Sequence, residues 1–482
     1  MIPAFDVLVL GGSLVLAMAA AATAAPAASG AGEALRLHPD NPHYFLFRGQ
    51  PAVLVTSGEH YGAVLNLDFD YVKYLDEIAA CGLNLTRTFS GTYREIPGSF
   101  GITDNTLAPL ANRFACPWAR STTAGYFDGG AKFDLSKFDD ATFARLKDFL
   151  AEASKRGIVV ELSLFCPMYD ENLWKANPMN AANNVNGVGG VGLNEPLTLK
   201  NGGLLPFQDA FVRKIVTECN AFDNLYYEIC NEPYFGGVTL DWQAHVAEVI
   251  VETEKGLAKK HLIAQNIANG SAKIEKPSPA VSIFNFHYAT PPDTVGLNCA
   301  LGKALGDDET GFKGKDDFTY RGEGWDFLLA GGAVYSSLDY SFTPKTPEGT
   351  LADYKSPGGG SRALRRELKI LKGFIEGFNL VRLAPAGAVV KSGVPEKSTA
   401  RTLAEAGKAY AVYVRSAPGA KDMKADLVLD LPAGKWKAEW VNTKTGAVDK
   451  SETFDHAGGP RTLASPAYKE DIALRIVASP GR

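Results

Sequence analysis

Short apolar runs alternate with amphipathic stretches along most of the chain. The runs are rich in β-branched and aromatic residues, whereas the stretches repeat their apolar positions every three to four residues. This alternation is typical of βα units around a parallel sheet. We predict eight strands, at Ala52–Ser57, Leu83–Thr88, Ile158–Leu164, Leu225–Ile229, Leu262–Gln265, Ser282–Phe286, Lys303–Gly306 and Ala333–Leu338. We predict helices at Phe69–Ala80, Ala141–Lys155, Pro206–Cys219, Asp241–Lys259, Phe318–Ala330 and Ser361–Glu376.

Eight strands in a βα order fit one (β/α)8 TIM barrel, an α/β fold, over residues 35–382. The links after the fifth and sixth strands carry no clear helical pattern. A doubly wound sheet is the alternative, and its nucleotide-binding forms carry a Gly-rich turn after a strand. No such turn follows any of the predicted strands, so the sequence favours the barrel.

The pattern changes near Leu380. From Val389 to the end, apolar and polar residues alternate with period two, and turn residues such as Pro-Ala-Gly separate the runs. The clearest runs are Ala409–Val414, Ala425–Leu429 and Trp436–Trp440. We expect a small C-terminal β-sandwich over residues 387–482, joined to the barrel through residues 381–386.

The first residues differ in composition from the rest. Residues 7–20 form an apolar run that is short for a membrane span, and small residues follow near Ala24 and Ala25. This pattern predicts a signal peptide over residues 1–25 and a periplasmic or secreted protein with no membrane partner after cleavage. A membrane anchor is the alternative, because no Lys or Arg precedes the run and Asp6 is acidic.

Charge and cysteine content argue against several classes of partner. The 482 residues carry 49 basic and 54 acidic side chains, a net charge of −5, with no basic block, which argues against nucleic acid. Six scattered cysteines form no CxxC pair, which argues against a zinc or redox motif, although Cys116 and Cys299 could pair after export. We expect a monomer that needs no cofactor or metal.

A carboxylate motif stands at the end of the fourth predicted strand. Glu228 lies inside the strand, whereas Asn231 and Glu232 emerge at its tip and Pro233 ends the ladder. Asn-Glu-Pro at this place resembles the fourth-strand motif of clan A retaining glycoside hydrolases, of the cellulase-like family 5 type. The resemblance implies that Glu232 is the catalytic acid/base and that Asn231 binds the 2-hydroxyl of a carbohydrate substrate.

The same family implies a glutamate nucleophile at the end of the seventh strand. Glu309 takes that position, and Asp307 and Asp308 are competitors because the pattern fixes the register only to within a residue or two. Arg87, at the end of the second strand, resembles the family's second-strand arginine. Its fixed positive charge would keep the nucleophile ionised.

The sixth strand ends in His287 and Tyr288, which resembles the family's His-aromatic-Tyr segment but lacks the intervening residue. Strand alternation then places the two side chains on opposite faces, unless the strand has already turned. We therefore predict His287 at the site, whereas the role of Tyr288 as partner of the nucleophile depends on such a turn.

Polar side chains also end two other strands. Glu59, His60 and Tyr61 follow the first strand, and Gln265 with Asn266 ends the fifth. These side chains either bind sugar hydroxyls or satisfy the backbone of nearby loops.

Two long polar loops, Gly91–Lys132 and Pro167–Leu205, follow the second and third strands and belong on the C-terminal face of the barrel. Their aromatic rings either form platforms for sugar rings or anchor the loops to the barrel. The rings are those of Tyr93, Phe100, Trp118, Tyr126, Tyr169 and Trp174.

The family resemblance implies a retaining glycosidase that cleaves inside a β-linked poly- or oligosaccharide. In such enzymes the two carboxyl groups stand about 5–5.5 Å apart. The third strand lacks the family's His and the eighth lacks its Trp, so the sequence does not identify the sugar that is cleaved. The alternatives are an exo-acting glycosidase, a non-catalytic carbohydrate-binding barrel and, last, a metal-dependent hydrolase, since the seven His form no HxH or HExxH.

Overall fold

The computed structural model describes residues 32–479 together with Met1. Eight parallel strands form one sheet in which strand 1 pairs with strand 8 and each later strand pairs with the next, from strand 2 to strand 8. The strands are Leu54–Gly58, Leu85–Phe89, Val159–Phe165, Leu225–Cys230, Ile263–Asn269, Ile283–His287, Ala304–Glu309 and Val334–Leu338. All eight predicted strands are confirmed, and so is the (β/α)8 barrel.

The barrel closes between strands 1 and 2 through a side chain. Asn84 Oδ1 accepts a hydrogen bond from the Val55 amide at 2.9 Å, and its Nδ2 donates to the Val53 carbonyl at 2.8 Å. The backbone N–H of Asn84 also donates to the Val55 carbonyl, at 3.2 Å, so one backbone bond and the side-chain amide together join the two strands. The side chain satisfies backbone groups that would otherwise be unpaired.

The six predicted helices are present with shifted ends. Side-chain caps begin several of them, such as Asp139, whose carboxylate accepts from the amides of Ala141 and Thr142. A short helix and a 3-10 turn follow strand 6, and no helix of the described chain lies between strands 5 and 6. The α-helices are Tyr71–Ala80, Asp140–Lys155, Glu171–Ala176, Leu205–Cys219, Leu240–Glu254, Asp293–Asn298, Asp317–Ala330 and Arg362–Glu376.

Smaller elements flank the barrel. A three-stranded antiparallel sheet precedes strand 1, at Arg36–His38, Asn41–Phe47 and Gln50–Ala52. A hairpin, Trp118–Ala124 with Ala131–Phe138, occupies part of the first long loop. Both long loops leave the C-terminal ends of barrel strands, as the strand order predicts.

The C-terminal region contains two antiparallel sheets, as the period-two pattern predicts. The six-stranded sheet runs in the order Ala384–Pro385, Thr399–Glu405, Ala409–Arg415, Asp471–Ala478, Gly434–Val441 and Val448–His456. The three-stranded sheet consists of Val390–Ser392, Asp426–Leu431 and Gly459–Ala464. The buried core between the sheets includes Val412, Trp436 and Trp440.

The sheets pack on the barrel through the helix Asp317–Ala330. Trp325 stacks on Tyr413 with ring centroids 5.2 Å apart, and Arg321 pairs with Asp471 at 3.0 Å in a buried contact. The predicted boundary at residues 381–386 stays a prediction, and strand Ala384–Pro385 within it already pairs with the larger sheet.

The predicted signal peptide, residues 1–25, lies outside the described residues apart from Met1. Among the described residues, no helix combines the length and the apolar character that crossing a bilayer requires. All six cysteines lie within the described residues and are free, so Cys116 and Cys299 do not pair in this structure.

Candidate active site

A narrow cavity of about 50 Å³ opens at the C-terminal ends of the barrel strands, and Asn231, Glu232 and Glu309 line it. This volume is small compared with the roughly 300–1,000 Å³ of ordinary ligand pockets.

Glu232 follows the end of strand 4 in a left-handed backbone conformation, with φ of 39°. This conformation is uncommon for a residue other than glycine, and such outliers cluster at functional sites. Tyr169 donates to Glu232 Oε2 at 2.5 Å, and Tyr234 and His287 Nδ1 donate to its Oε1 at 3.1 Å and 3.2 Å. Glu232, which is 8% exposed, is therefore fixed by three hydrogen bonds to its carboxyl group.

Glu309 ends strand 7 and accepts from two phenols. Tyr61 donates to Oε2 at 2.8 Å and Tyr288 to Oε1 at 3.1 Å. His287 Nδ1 lies 3.5 Å from Oε1, and Arg87 Nη1 lies 3.4 Å from Oε2. Burial alone would raise the pKa of Glu309, but the charges of His287 and Arg87 and the Tyr61 hydrogen bond outweigh burial and hold that pKa well below its ordinary value. Glu309 is therefore ionised at neutral pH.

The two competitors of Glu309 lie away from the cavity. Asp308 sits beneath Glu309, where its carboxylate faces Arg87 Nε and His287 Nε2, each at 3.4 Å. Asp307 Oδ1 accepts from the Ala289 amide instead. Of the three carboxylates, Glu309 is the one that lines the cavity.

His287 is fully buried between the two glutamates. Burial lowers its pKa, but the charges of Glu309 and Asp308 and the hydrogen bond to Glu232 raise the pKa of His287 well above its ordinary value. The His287 ring is therefore a cation at neutral pH. Tyr288 reaches Glu309 as well, because the chain turns at Tyr288, where φ is 55°. The strand has therefore already turned at Tyr288, which is the condition on which a contact between Tyr288 and the proposed nucleophile depended.

Arg87 lies beneath the cavity and connects three strands. Its Nη2 donates to Glu228 Oε2 at 2.6 Å and to Asn231 Oδ1 at 2.7 Å, and its guanidinium covers the Tyr61 ring at 4.5 Å. Asn231 is thereby fixed beside Glu232, with its Nδ2 donating to the Tyr169 hydroxyl at 2.8 Å.

Two groups of side chains come close enough to hold a cation. In one, Glu232, His287 and Glu309 each offer an atom within 4.8 Å of the others. In the other, Glu161, Glu228 and Asp308 do the same deep in the barrel. Neither group suits a metal. His287 already contacts Glu232, Glu309 and Asp308 through its two ring nitrogens, and Arg87 already pairs with Glu228 and Asp308.

Of the two strand-1 residues predicted to bind substrate, His60 and Glu59, only His60 lies at the cavity. His60 lines the cavity, and its Nε2 lies 3.3 Å from Glu95 Oε1 while its Nδ1 has no partner. Glu59 does not belong to the site. Its carboxylate accepts from the amides of Gly62 and Ala63, both at 2.9 Å, so it satisfies loop backbone rather than sugar hydroxyls. At the tip of strand 5, Asn266 contacts His287.

No family model matches the sequence, and no curated protein matches it significantly. Three solved structures are similar over nearly the whole chain. A protein from Bacteroides vulgatus ATCC 8482, named provisionally as a glycoside hydrolase, shares 15% identity with a TM-score of 0.67, over 93% of this chain and 82% of that chain. A protein named as a glycoside hydrolase shares 14% identity with a TM-score of 0.62, over 93% and 97%. A glycoside hydrolase family 5 protein from Bacteroides vulgatus ATCC 8482 shares 14% identity with a TM-score of 0.61, over 92% and 94%.

These likenesses establish the fold. The predicted resemblance to a family 5 type barrel with an appended β-domain is confirmed at that level. The two glutamates stand at the ends of strands 4 and 7 of this fold, as the motifs in the sequence indicated.

The loop aromatics divide into two groups. Tyr93, Phe100 and Tyr169 line the cavity. The others anchor the loops: Tyr126 donates to the Ala176 carbonyl, Trp174 donates to the Val191 carbonyl, and Trp118 packs against Phe211.

A row of rings crosses the mouth of the cavity. Phe312 meets Phe100 with centroids 6.2 Å apart, Phe100 meets Tyr169 at 5.4 Å, and Tyr169 meets Phe235 at 5.8 Å. We call these four residues the aromatic belt.

Sequence reasoning missed the apolar residues Phe89, Leu107 and Phe312, which line the cavity, and three polar residues in or beside it. Tyr234 directly follows Asn-Glu-Pro and could have been noticed there. Glu95 and Asn105 lie in the first long loop, where Asn105 donates to the Glu95 carboxylate. Glu95 also accepts from Tyr93 at 3.2 Å, and it lines the cavity beside His60. No local pattern distinguishes Glu95 from other loop carboxylates, because its partners come from distant positions.

Proposed function

We propose that this protein is a retaining glycoside hydrolase that cleaves O-glycosidic bonds of a β-linked carbohydrate, with Glu232 as acid/base and Glu309 as nucleophile. One observation carries the proposal: a carboxylate oxygen of Glu232 and one of Glu309 lie within 4.8 Å across the cavity. This matches the roughly 5–5.5 Å of retaining enzymes better than the roughly 6.5–9.5 Å gap that inverting enzymes need for a water.

In the first step, the ionised Glu309 attacks the anomeric carbon. Glu232, in its protonated form, donates its proton to the glycosidic oxygen as the bond between that oxygen and the anomeric carbon breaks. The sugar is then bound to Glu309 as an ester, and the leaving group departs as an alcohol. His287 and Arg87 favour this step because they keep Glu309 charged.

In the second step, Glu232 is a carboxylate and acts as base. It takes a proton from a water molecule, whose oxygen attacks the anomeric carbon and displaces Glu309. Two inversions leave the product with the configuration of the substrate. Tyr169 and Tyr234 contact Glu232 and keep it directed at the leaving-group side in both steps.

Four further residues are placed to bind the sugar. Asn231 is fixed beside Glu232 and is suited to the 2-hydroxyl, and Tyr288 and His287 border Glu309. His60, which lines the cavity, offers its unpartnered Nδ1. The solved structures named as glycoside hydrolases, which share this fold, support the assignment.

The mouth of the cavity bears on the mode of action. Internal cleavage of a polymer, which the sequence resemblance implied, requires an open cleft on both sides of the scissile bond. Phe312 and Phe100 instead meet across the mouth. This geometry favours the alternative, action on a terminal sugar or on a small glycoside.

The proposal is tested by product stereochemistry and by matched variants. NMR of the first product formed from aryl β-glycosides, or from β-linked glucan, mannan, xylan and galactan oligosaccharides, should show the β-anomer. Glu232→Gln and Glu309→Gln should each lower kcat by at least about 10²–10⁴-fold. Glu248→Gln changes an exposed glutamate on the helix Leu240–Glu254 and should leave kcat unchanged. An α-anomer as first product, or full activity in either site variant, would contradict the proposal.

We also propose a periplasmic or secreted location. Expression of the full chain with a C-terminal tag, followed by fractionation and N-terminal sequencing, should give a processed protein outside the cytoplasm. Retention of residues 1–25 in a membrane fraction would indicate an anchor instead.

A further inference from the structure

The aromatic belt concentrates exposed phenyl rings at the cavity. Phe100, Phe235 and Phe312 are 42%, 43% and 40% exposed. Among the described residues, four phenylalanines are exposed, and Phe127 is the fourth. Three of the four thus lie in one row, and exposed apolar patches of this kind mark binding surfaces.

The belt comes from four different loops. Phe100 follows strand 2, Tyr169 strand 3, Phe235 strand 4 and Phe312 strand 7. Tyr340, after strand 8, extends the row, with its centroid 6.2 Å from that of Phe312. Convergence of separate loops on one apolar row is not required by the barrel itself, whose core lies below.

Through Tyr169, the aromatic belt contacts Glu232, the residue that would protonate the leaving group. The Tyr169 hydroxyl donates to Glu232 and accepts from Asn231, so its polar atom is used inside the cavity. The rest of the Tyr169 ring faces Phe100 and Phe235. Whatever departs after protonation by Glu232 therefore leaves along phenyl rings.

The chemistry of the belt disfavours a second sugar at this position. The three phenylalanines offer no hydrogen-bond donor or acceptor, so sugar hydroxyls placed on them would lose their water partners without replacement. Consecutive rings meet at interplanar angles of 84°, 90° and 61°, so the belt is not a flat platform for a pyranose face. An alkyl or aryl group loses nothing by leaving water and can fill the gaps between edge-to-face rings.

Phe100 is also held against its backbone preference. Its φ is 55°, in the left-handed region that bulky residues avoid. Gly98 and Gly101 flank it with φ of 91° and 68°, and this short loop presents the phenyl ring to the mouth. Such a backbone outlier at an exposed residue points to a role for the phenyl ring itself.

We propose that the aromatic belt binds an apolar aglycone, so that the substrate is a β-glycoside of an alkyl or aryl group rather than a chain of sugars. This inference rests on the proposed glycosidase function and names the substrate class of the same site. The leaving alcohol would depart between Phe100, Phe312 and Phe235, beside Glu232.

Binding can be measured separately from cleavage with S-linked glycosides, which bind but resist hydrolysis. The probes are methyl and n-octyl β-D-thioglycosides of glucose, galactose and mannose, used below the micelle concentration. Calorimetric titration of the full protein gives Kd and the heat-capacity change for each probe. For at least one sugar, the octyl compound should bind at least about 10-fold more tightly than the methyl compound, with a more negative heat-capacity change.

Matched variants assign that difference to the belt. Phe100→Ser and Phe312→Ser should each remove most of the octyl preference, whereas Phe312→Leu, which keeps apolar area, should retain most of it. Phe127→Ser changes the fourth exposed phenylalanine and should leave the preference intact. Thermal unfolding of each variant checks that the fold is preserved.

Two results would overturn the inference: equal binding of octyl and methyl probes for all three sugars, or a preference for octyl that survives both serine variants. A role of the belt as a mere cover predicts that the serine variants tighten methyl and octyl binding equally. Failure of the proposed function looks different. In that case the octyl preference is present, but the corresponding O-linked octyl glycosides are not cleaved.

Discussion

Replacement of His287 by Gln tests what keeps the proposed nucleophile ionised. His287 Nδ1 lies 3.5 Å from Glu309 Oε1 and 3.2 Å from Glu232 Oε1, and its Nε2 faces Asp308 at 3.4 Å. Tyr234, Tyr288 and Asn266 also lie against its ring. Glutamine keeps a hydrogen-bonding group of similar reach but removes the positive charge.

The magnitude follows from the distance. Two unit charges 3.5 Å apart attract by about 5 kcal/mol at an effective dielectric constant of about 20. At about 1.4 kcal/mol per pH unit, the loss of this attraction should raise the pKa of Glu309 by about three pH units. Because the carboxylate is the reactive form, activity is present above this pKa and is lost as the pH falls through it. The acid limb of the pH profile of kcat/KM should therefore move to higher pH in His287→Gln.

The assay is the pH dependence of kcat/KM on an aryl β-glycoside, from pH 3 to pH 9. The wild-type protein should stay active down to the pH at which it unfolds, whereas His287→Gln should lose activity at a pH about three units above the pKa of Glu309 in the wild type. His245→Gln removes a His from a surface pair with Asp209 and should behave as wild type. An unchanged acid limb in a folded His287→Gln protein would refute the reasoning.

Three further predictions concern the free energy of unfolding, measured by chemical denaturation. Burial raises the pKa of Glu59 to about 7, so the contribution of Glu59 to stability should fall by about 3 kcal/mol as pH rises from 4.5 to 7, and the stability of Glu59→Gln should lack this part of the pH dependence. Arg87→Met leaves Glu228 unpaired in the barrel and should cost about 3–5 kcal/mol. Arg321→Met breaks the buried pair with Asp471 and should cost a similar amount, about 3–5 kcal/mol; a loss below about 1 kcal/mol would contradict the assigned pair.

The barrel could be predicted because its signal is local. Most strands are short buried runs with β-branched or aromatic residues, and the longer helices repeat their apolar positions, so both signals are visible without long-range information. The closure through Asn84 could not be predicted, since it depends on one amide meeting the backbone of a strand some thirty positions earlier. The short helix Asp293–Asn298 was also missed, because six residues are too few for a helical period.

At the site, the two glutamates and Arg87 were predictable because they occupy strand tips, which the topology brings together. Glu59 occupies such a tip too, yet it turns to the amides of Gly62 and Ala63. A position at a strand tip therefore predicts that a residue lies near the cavity, but it does not predict whether the side chain points into it. Direction depends on which unpaired backbone groups the following loop leaves within reach.

Backbone turns at the strand ends decide that direction, and three site residues show it. Tyr61, Glu232 and Tyr288 each have positive φ, at 59°, 39° and 55°. Each follows directly or closely on a barrel strand. Tyr61 and Glu232 then line the cavity, and the Tyr288 hydroxyl reaches Glu309. For Tyr288 the turn cancels the alternation that would separate it from His287, so adjacent residues contact the same carboxylate. The missing residue in the sixth-strand motif is thus compensated by the left-handed turn, and both phenols on Glu309 depend on conformations that a sequence pattern of period two cannot express.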